Sequence, residues 1–283
     1  MSVAEATAAP KAPRQASLNR PRKRWTRFIL PAYTVLMILY LTSPIFVMIL
    51  YGFNDIPGDR QTPRFWGFTL DWWKNVFNIV GLPDAFKNSL IIAPVSALIA
   101  TGLGTLFGLA LGRYRFRGFA VVGFVIFLAI AVPEIVLGSS LLSMFVLFKA
   151  PLGMGTILLS HIGFSIAFVA VTVRARVQGL DRHLEDAAQD LFATPMAAFF
   201  KVTLPLIAPA ILAGFLLAFV LSLDDFVITN FVAGPVNTFP LWVYGAQRIG
   251  IPPQVNVMGT LLFSAGILAA IVNVVAQRRR PRA

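Results

Sequence analysis

The 283-residue sequence contains no cysteine, which excludes disulfide bonds and thiolate metal sites. It also lacks a Gly-x-x-x-x-Gly-Lys-Ser/Thr sequence, and none of its six lysines follows a glycine, so the usual phosphate-binding loop is missing. The two histidines, His161 and His183, have no companion ligands at metal-binding spacing. The sequence therefore predicts no catalytic site, metal site or cofactor of its own, and it favours a helix-packing role for His161.

Charged residues are also scarce, at 13% of the chain, whereas 57% of the residues are hydrophobic and the mean hydropathy is +0.77. This composition excludes an ordinary soluble domain. Uncharged apolar runs long enough to cross a bilayer recur along the chain. Six spans are predicted, at about 28–53, 88–112, 119–147, 155–173, 206–233 and 255–276. The expected fold is an all-α bundle of six transmembrane helices over residues 28–276.

The basic residues predict how these spans are oriented. If both termini are cytoplasmic, 18 of the 24 Lys and Arg residues lie in cytoplasmic segments and only six lie outside. Residues 1–27 then form a basic cytoplasmic tail, expected to be disordered because it is rich in Ala, Pro and basic side chains. Residues 277–283 form a basic cytoplasmic C-terminus. Anionic lipid headgroups account for the net charge of +12, so nucleic acid is not an expected partner.

A polar segment, residues 180–206, separates the fourth and fifth spans and should lie outside the bilayer. Asp181 is a favourable N-cap for a first short helix, and Thr194-Pro195 is typical of a second helix start. The first helix carries a narrow apolar face, formed by Leu184, Ala187, Ala188 and Leu191. Such a face fits a groove in a partner protein, and the alternative is an amphipathic helix lying on the membrane surface.

This segment resembles the cytoplasmic EAA loop of ABC importer permeases. The matching residues are the core Glu185-Asp186-Ala187-Ala188 and the ending Leu204-Pro205. The resemblance implies that the core, together with Leu191 and Phe192, docks onto an ATPase subunit. The glycine usual in that family falls on Phe192, which departs from the pattern. A Phe at this position predicts an ordinary right-handed or extended backbone, with its ring packed on the loop or on the partner.

Three of the twelve acidic residues, Glu134, Asp224 and Asp225, fall inside apolar spans. A charge near the middle of a bilayer costs about 3 kcal/mol, and such residues usually mark a substrate or ion path. Counting residues along the third and fifth spans places them at similar depth in the outer half. No Lys or Arg lies in any span to neutralise them. They predict an anionic lining for a cationic substrate, and the alternative is a purely structural role, with protonated or hydrogen-bonded side chains.

Residues 221–263 resemble the spermidine/putrescine branch of these permeases. The matching features are the Asp-Asp pair, Gly-Pro at 234–235, Phe-Pro-Leu at 239–241 and the run at 250–256, with Pro133-Glu134 in the third span. The resemblance implies a type I permease subunit of the bacterial inner membrane that imports polyamines. It also implies a second homologous permease, two ATPase subunits that bind ATP, and a periplasmic solute-binding protein.

Three alternatives stay open from the sequence. Permeases for other small organic solutes and for iron share much of the same pattern. An ion-coupled secondary transporter would explain acids within the membrane, but not the long segment at 180–206. An intramembrane enzyme would need a nucleophile with a base or a metal cluster, and neither is visible.

Overall fold

The computed structural model describes residues 26–58, 60–181 and 183–278, and most of these residues are helical. The helices are α1 (Thr26–Tyr51), α2 (Asp71–Lys74), α3 (Leu82–Arg113), α4 (Phe119–Ala131), α5 (Glu134–Leu147), α6 (Met154–Gln178), α7 (His183–Asp190), α8 (Pro195–Ala198), α9 (Leu204–Asp224), α10 (Val227–Val232), α11 (Phe239–Ile249) and α12 (Gln254–Arg278). A π-helical turn, Phe199–Thr203, joins α8 to α9. Most of the predicted tail, and residues 279–283 of the predicted C-terminus, lie outside the described residues.

The centre of the molecule is formed by α3, α6 and α9, which pack on one another over most of their length. Glycines on α3 face valines on α6, at Gly104 opposite Val169 and at Gly108 opposite Val173. A Cβ atom added to Gly108 would lie only 2.8 Å from the Cβ of Val173. The helices therefore approach more closely than larger side chains would permit, as is common between transmembrane helices.

At one end of this centre, the short helix α10 packs along α5 and contacts α6. Their shared core includes Ile92, Phe145, Ile157, Ile228 and Val232. Gly138 of α5 permits the contact, since a Cβ atom there would lie 2.6 Å from the ring of Phe231. The polar segment that contains α7 and α8 lies at the opposite end, between the end of α3 and the beginning of α9.

The predicted spans correspond to helices, but their number and limits differ. By length and composition, four helices can cross a membrane: Phe28–Tyr51, Leu82–Arg113, Met154–Gln178 and the run Pro195–Asp224. The third predicted span is broken after Ala131 and its two halves, α4 and α5, meet at 108°, so it counts as a span only if the bent pair is taken as one. The last predicted span appears as α12, whose described apolar part, Gln254–Leu268, is short.

The fifth predicted span is wrong in its limits, because α9 stops at Asp224 and the chain continues in a separate helix, α10. The second span starts six residues earlier than predicted, at Leu82, where Gly81 has a positive φ of 78° and Pro83 follows in the first turn. Pro133 ends α4 because the residue before a proline is biased toward extended backbone, and Val132 has φ −69° and ψ 131°.

Helix α1 stands apart from the rest of the bundle. None of residues 28–51 is buried, and the helix contacts mainly α12. A helix that is apolar on all sides suits an environment of lipid or of a second transmembrane subunit. The first predicted span therefore adds little to the core of this chain.

Candidate functional site

The break between α9 and α10 is organised by the carboxylate of Asp225. The backbone of Asp225 is extended, and its side chain accepts hydrogen bonds from the backbone N–H of Ile228 (3.3 Å) and of Thr229 (2.8 Å). The hydroxyl of Thr229 donates a further hydrogen bond of 2.6 Å to the same carboxylate. Asp225 therefore satisfies the free N–H groups at the start of α10, which is what an acidic capping residue does.

Asp225 also contacts His161 of α6 inside the bundle. The Nε2 atom of His161 lies 3.2 Å from Oδ2 of Asp225 and 2.9 Å from the hydroxyl of Thr229. Its Nδ1 atom lies 2.7 Å from the hydroxyl of Ser222, which is 2.8 Å from the hydroxyl of Ser96 on α3. These contacts form a buried polar network that joins α3, α6, α9 and α10. His161 thus packs between helices, as expected from the sequence.

The three predicted acids differ in their surroundings. The side chain of Asp225 is only 5% exposed. Asp224, the last residue of α9, and Glu134, the first residue of α5, are both exposed. Within the described part of the chain, no ion pair or hydrogen bond of the Asp224 or Glu134 carboxylate is observed. The structure places Glu134 on the helix that packs along α10, but no hydrogen bond or ion pair joins it to Asp224 or Asp225 in the described chain.

At the other end of the bundle, the two helix starts predicted in the segment 180–206 are confirmed. The backbone N–H of His183 donates a 3.0 Å hydrogen bond to the Asp181 carboxylate at the start of α7. The Thr194 hydroxyl accepts a 3.3 Å hydrogen bond from the backbone N–H of Ala197, and Pro195 is the first residue of α8. The segment is therefore a pair of short helices, as its capping residues indicate.

Phe192 ends α7 in a left-handed conformation, with φ at 65°. Its N–H donates to the carbonyl of Gln189 (2.9 Å), and the N–H of Ala193 donates to the carbonyl of Ala188 (3.1 Å). This pair of hydrogen bonds is the Schellman motif, in which glycine normally occupies the position of Phe192. The prediction of an ordinary backbone here is wrong, and so is that of a ring packed on the loop, since Phe192 is 97% exposed.

The acidic-Ala-Ala core is divided between an inner and an outer face. The carboxylate of Glu185 accepts hydrogen bonds from Arg113 at the end of α3 and from the hydroxyl of Thr203 just before α9, and its side chain is only 20% exposed. Asp186 points outward, 3.7 Å from His183. The remaining predicted residues are distributed as follows: Ala187, Leu191, Phe192 and Pro205 are exposed, and Ala188 and Leu204 are half-buried. Leu191 is 82% exposed and Leu184 is 44% exposed, so part of the apolar face of α7 is left uncovered within the described chain.

Sequence reasoning missed Arg113, Thr203, Ser96, Ser222 and Thr229 as members of these two networks. Thr229 and Ser222 lie four residues after and three before Asp225, which is a weak signal for a local contact. Nothing in the sequence pairs Arg113 with Glu185, because 72 residues separate them.

Comparison with known proteins agrees with these features. The family model for the inner membrane component of binding-protein-dependent transport systems matches residues 104–280. The spermidine/putrescine transport system permease protein PotC of Escherichia coli K12 is 38% identical over 244 residues, covering 86% of this chain and 91% of PotC. The putrescine transport system permease protein PotI of the same organism is also 38% identical, over 255 residues, covering 86% of this chain and 90% of PotI.

Solved structures share the fold at low identity. A bacterial ABC transporter involved in the import of the acidic polysaccharide alginate matches with a TM-score of 0.63 at 18% identity, covering 92% of this chain and 99% of that one. The MetNI methionine ABC transporter matches with a TM-score of 0.56 at 19% identity, covering 70% and 93%. The helical bundle is therefore that of ABC importer permeases, and the chain belongs to the family of binding-protein-dependent transport system inner membrane components.

Proposed function

We propose that this chain is one permease subunit of an ATP-driven ABC importer that moves polyamines such as putrescine and spermidine into the cytoplasm. The observation that carries the proposal is the 38% identity to PotC and PotI over 86% of the chain. The match covers about nine tenths of PotC and of PotI, so it includes most of the transmembrane bundle.

The substrate assignment is supported by the exposed acids. Asp224 and Glu134 offer exposed carboxylates with no basic partner among the described residues, Asp224 at the break after α9 and Glu134 at the start of α5, which packs along α10. A polyamine carries two or more separated ammonium groups, and charge-assisted hydrogen bonds to carboxylates are stronger than neutral ones. We assign the direct contacts with substrate to Asp224 and Glu134, and to Asp225 the role of shaping the break on which Asp224 sits.

The partners follow from surfaces that the chain leaves uncovered. The exposed face of α7 and its end at Leu191 and Phe192 would lie in a groove of an ATPase subunit, two of which bind and hydrolyse ATP. The exposed α1 would contact lipid or the second, homologous permease. A periplasmic solute-binding protein would deliver the substrate, and both termini would lie in the cytoplasm, as the distribution of basic residues favours.

The cycle would then couple two distant ends of one chain. ATP binding would bring the ATPase subunits together and displace α7, and Glu185 would pass this displacement to α3 and α9 through Arg113 and Thr203. Reorientation of these helices would open the region of Asp224 and Glu134 outward. Hydrolysis would reset the bundle toward the cytoplasm.

The test is uptake by vesicles containing the assembled importer, measured with labelled putrescine, spermidine, a neutral sugar and an organic anion. Wild-type protein should prefer the polyamines. Asp224→Asn and Glu134→Gln should each reduce polyamine uptake by about tenfold, the loss expected for one charge-assisted contact. The matched control is Asp71→Asn, which removes an exposed carboxylate paired with Lys74 instead.

Two outcomes would contradict the proposal. Preference for the sugar or the anion would favour a permease for another small solute, and iron uptake measured in the same vesicles would test the iron alternative. Full polyamine uptake by the double variant Asp224→Asn/Glu134→Gln would remove these acids from the substrate path. Uptake that persists without ATP and instead follows an ion gradient would indicate a secondary transporter.

A further inference from the structure

A second polar site lies at the end of the bundle that carries α7 and α8. A cavity of about 300 Å³ opens between the end of α3, the beginning of α4 and the end of α6. Its lining is mostly polar and includes Arg113, Tyr114 and Arg115 together with the ring of Phe119, whereas Leu111 and Val177 are buried behind it. We call this space the basic cavity.

The shape of the basic cavity follows from its backbone. Helix α3 ends at Arg113, the chain is extended at Tyr114, and Gly118 has a positive φ of 91° just before α4. Close approach of Gly112 to Val177 keeps the ends of α3 and α6 together, because a Cβ atom on Gly112 would lie 2.6 Å from the Val177 side chain. The residues that connect α3 to α4 therefore border the cavity and do not fill it.

Positive charge converges on one ring beside the cavity. The guanidinium group of Arg115 lies 4.7 Å from the centre of the Phe119 ring, and that of Arg174 lies 5.5 Å from the same centre. Cation–π contacts of this kind hold both groups in place. Two cations held on one ring repel each other, and an anion between them would relieve that repulsion.

Neighbouring acids do not supply this anion. Among the described residues, no carboxylate forms an ion pair with Arg115 or Arg174. Glu185 binds Arg113 and Thr203, and the Asp181 carboxylate accepts a hydrogen bond from the backbone of His183. The basic cavity therefore carries uncompensated positive charge.

We propose that the basic cavity binds the phosphate group of an anionic phospholipid such as phosphatidylglycerol. Planar guanidinium groups suit phosphate because they donate parallel hydrogen bonds. The site lies where helices enter and leave the membrane, and basic pockets between transmembrane helices at this level bind anionic headgroups. Helix α4 runs away from the cavity with no buried residue, so acyl chains have an apolar surface to lie on.

A lipid is favoured over free phosphate because exposed apolar side chains begin beside the arginines. Phe119 lines the cavity with Arg115, and Val121, Phe124 and Val125 of α4 are exposed further along the same helix. Inorganic phosphate gains nothing from such neighbours, whereas the acyl chains of a lipid held by its headgroup would lie on them.

The proposal is tested on the importer assembled with its partner subunits and purified in detergent. Dioctanoyl phosphatidylglycerol, dioctanoyl phosphatidylcholine and inorganic phosphate are added separately at equal concentration, and native mass spectrometry counts the bound molecules. Wild-type protein should retain phosphatidylglycerol in preference to phosphatidylcholine. Arg115→Gln/Arg174→Gln should weaken that retention by about tenfold, as lost charge-assisted hydrogen bonds predict.

The matched control is Arg117→Gln, which removes an exposed positive charge from the same connection but does not line the cavity. It should retain phosphatidylglycerol like the wild type. If the double variant does not assemble, Arg115→Lys gives the second measurement, since it keeps the charge but loses the planar fork and should bind with intermediate affinity.

Four results would overturn the proposal. These are equal retention of both lipids by the wild type, unchanged retention of phosphatidylglycerol by the double variant, and displacement of phosphatidylglycerol by an equal concentration of inorganic phosphate. The fourth is binding by the isolated chain that disappears in the assembled importer, which would mean that an acidic segment of a partner subunit fills the cavity.

Discussion

His161 and Asp225 form a buried pair, with Nε2 and Oδ2 3.2 Å apart and side chains only 1% and 5% exposed. The pair fastens the break between α9 and α10 to α6, and Ser222 and Ser96 extend the contact to α3. Removing one member of a buried polar pair leaves the other without its partner, which costs more than removing both. Asp225 belongs to this buried pair and its neighbour Asp224 is exposed, so the two acids should respond differently to the same substitution.

Asp225→Asn should destabilise the chain by about 1–3 kcal/mol because one buried network loses its acceptor. Asp224→Asn should leave stability unchanged, since Asp224 is exposed. Thermal melting of the purified complex measures the difference, and the double variant His161→Gln/Asp225→Asn should lose less than the sum of the single changes. An Asp225→Asn protein with wild-type melting but weakened substrate affinity would place Asp225 among the substrate ligands.

The contact between Arg113 and Glu185 predicts a rescue by charge exchange. Arg113→Glu or Glu185→Arg alone should uncouple ATP hydrolysis from transport, because each places two like charges together at a half-buried site. The exchanged pair Arg113→Glu/Glu185→Arg should recover part of the coupling, measured as substrate-dependent ATPase activity and uptake in vesicles.

Copurification of the ATPase subunits is the control for this experiment. Single variants that keep their ATPase subunits but lose coupling would agree with an internal role for Glu185. Loss of the ATPase subunits with no recovery in the exchanged pair would mean that Glu185 contacts the partner directly. The exposed residue Ala187 of the same helix provides the comparison with Glu185. Ala187→Asp should weaken the association of the chain with the ATPase subunits.

Phe192→Gly should stabilise the loop, because a left-handed backbone costs a residue with a side chain about 1–2 kcal/mol. Phe192→Val should instead make the loop less stable than in the wild type, since a β-branched residue is least suited to positive φ. Circular dichroism melting of the purified chain gives the order of stability. Because the Phe192 ring is 97% exposed, the same Gly variant should weaken copurification of the ATPase subunits if the ring docks there. A lower melting temperature for Phe192→Gly than for wild type would show that the left-handed backbone at Phe192 is not strained.

Gly108→Ala should separate α3 from α6 and cost about 1–3 kcal/mol, because the added Cβ would lie 2.8 Å from Cβ of Val173 and 2.9 Å from the carbonyl of Ala170. Gly102→Ala is the matched control on the same helix, since nothing lies within 4 Å of the added atom. That control should be neutral or slightly stabilising. Equal melting temperatures for the two variants would mean that the close approach is not required.

The features that the sequence predicted are those with local causes. Thr194-Pro195 and Asp181 predicted helix starts because capping depends on neighbouring residues. Apolar runs predicted membrane helices because length and hydropathy suffice. The break in the third span has a local cause of the same kind, because it lies beside Pro133 and a proline does not continue a helix.

The features that the sequence did not predict depend on distant contacts or on overridden preferences. The partner of Asp225 is a histidine 64 residues away, so the expectation of an unneutralised acid rested on Lys and Arg alone. Phe192 adopts the geometry of glycine because the hydrogen bonds that end α7 outweigh its own backbone preference. The fifth span was extended across Asp224-Asp225 because the apolar residues beyond them continue the hydrophobic pattern, although the capping carboxylate starts a new helix.

The two helices of the third span, α4 and α5, differ in direction by 108°. Because the axes of α4 and α5 are close to perpendicular, a shift of α4 along its own axis would displace α5 mainly sideways. Helix α10 lies against α5 through the gap left by Gly138, so a sideways sweep of one carries the other with it. A shift of α4 would therefore reach the break that carries Asp224 and Asp225 as a sideways displacement of α5 and α10.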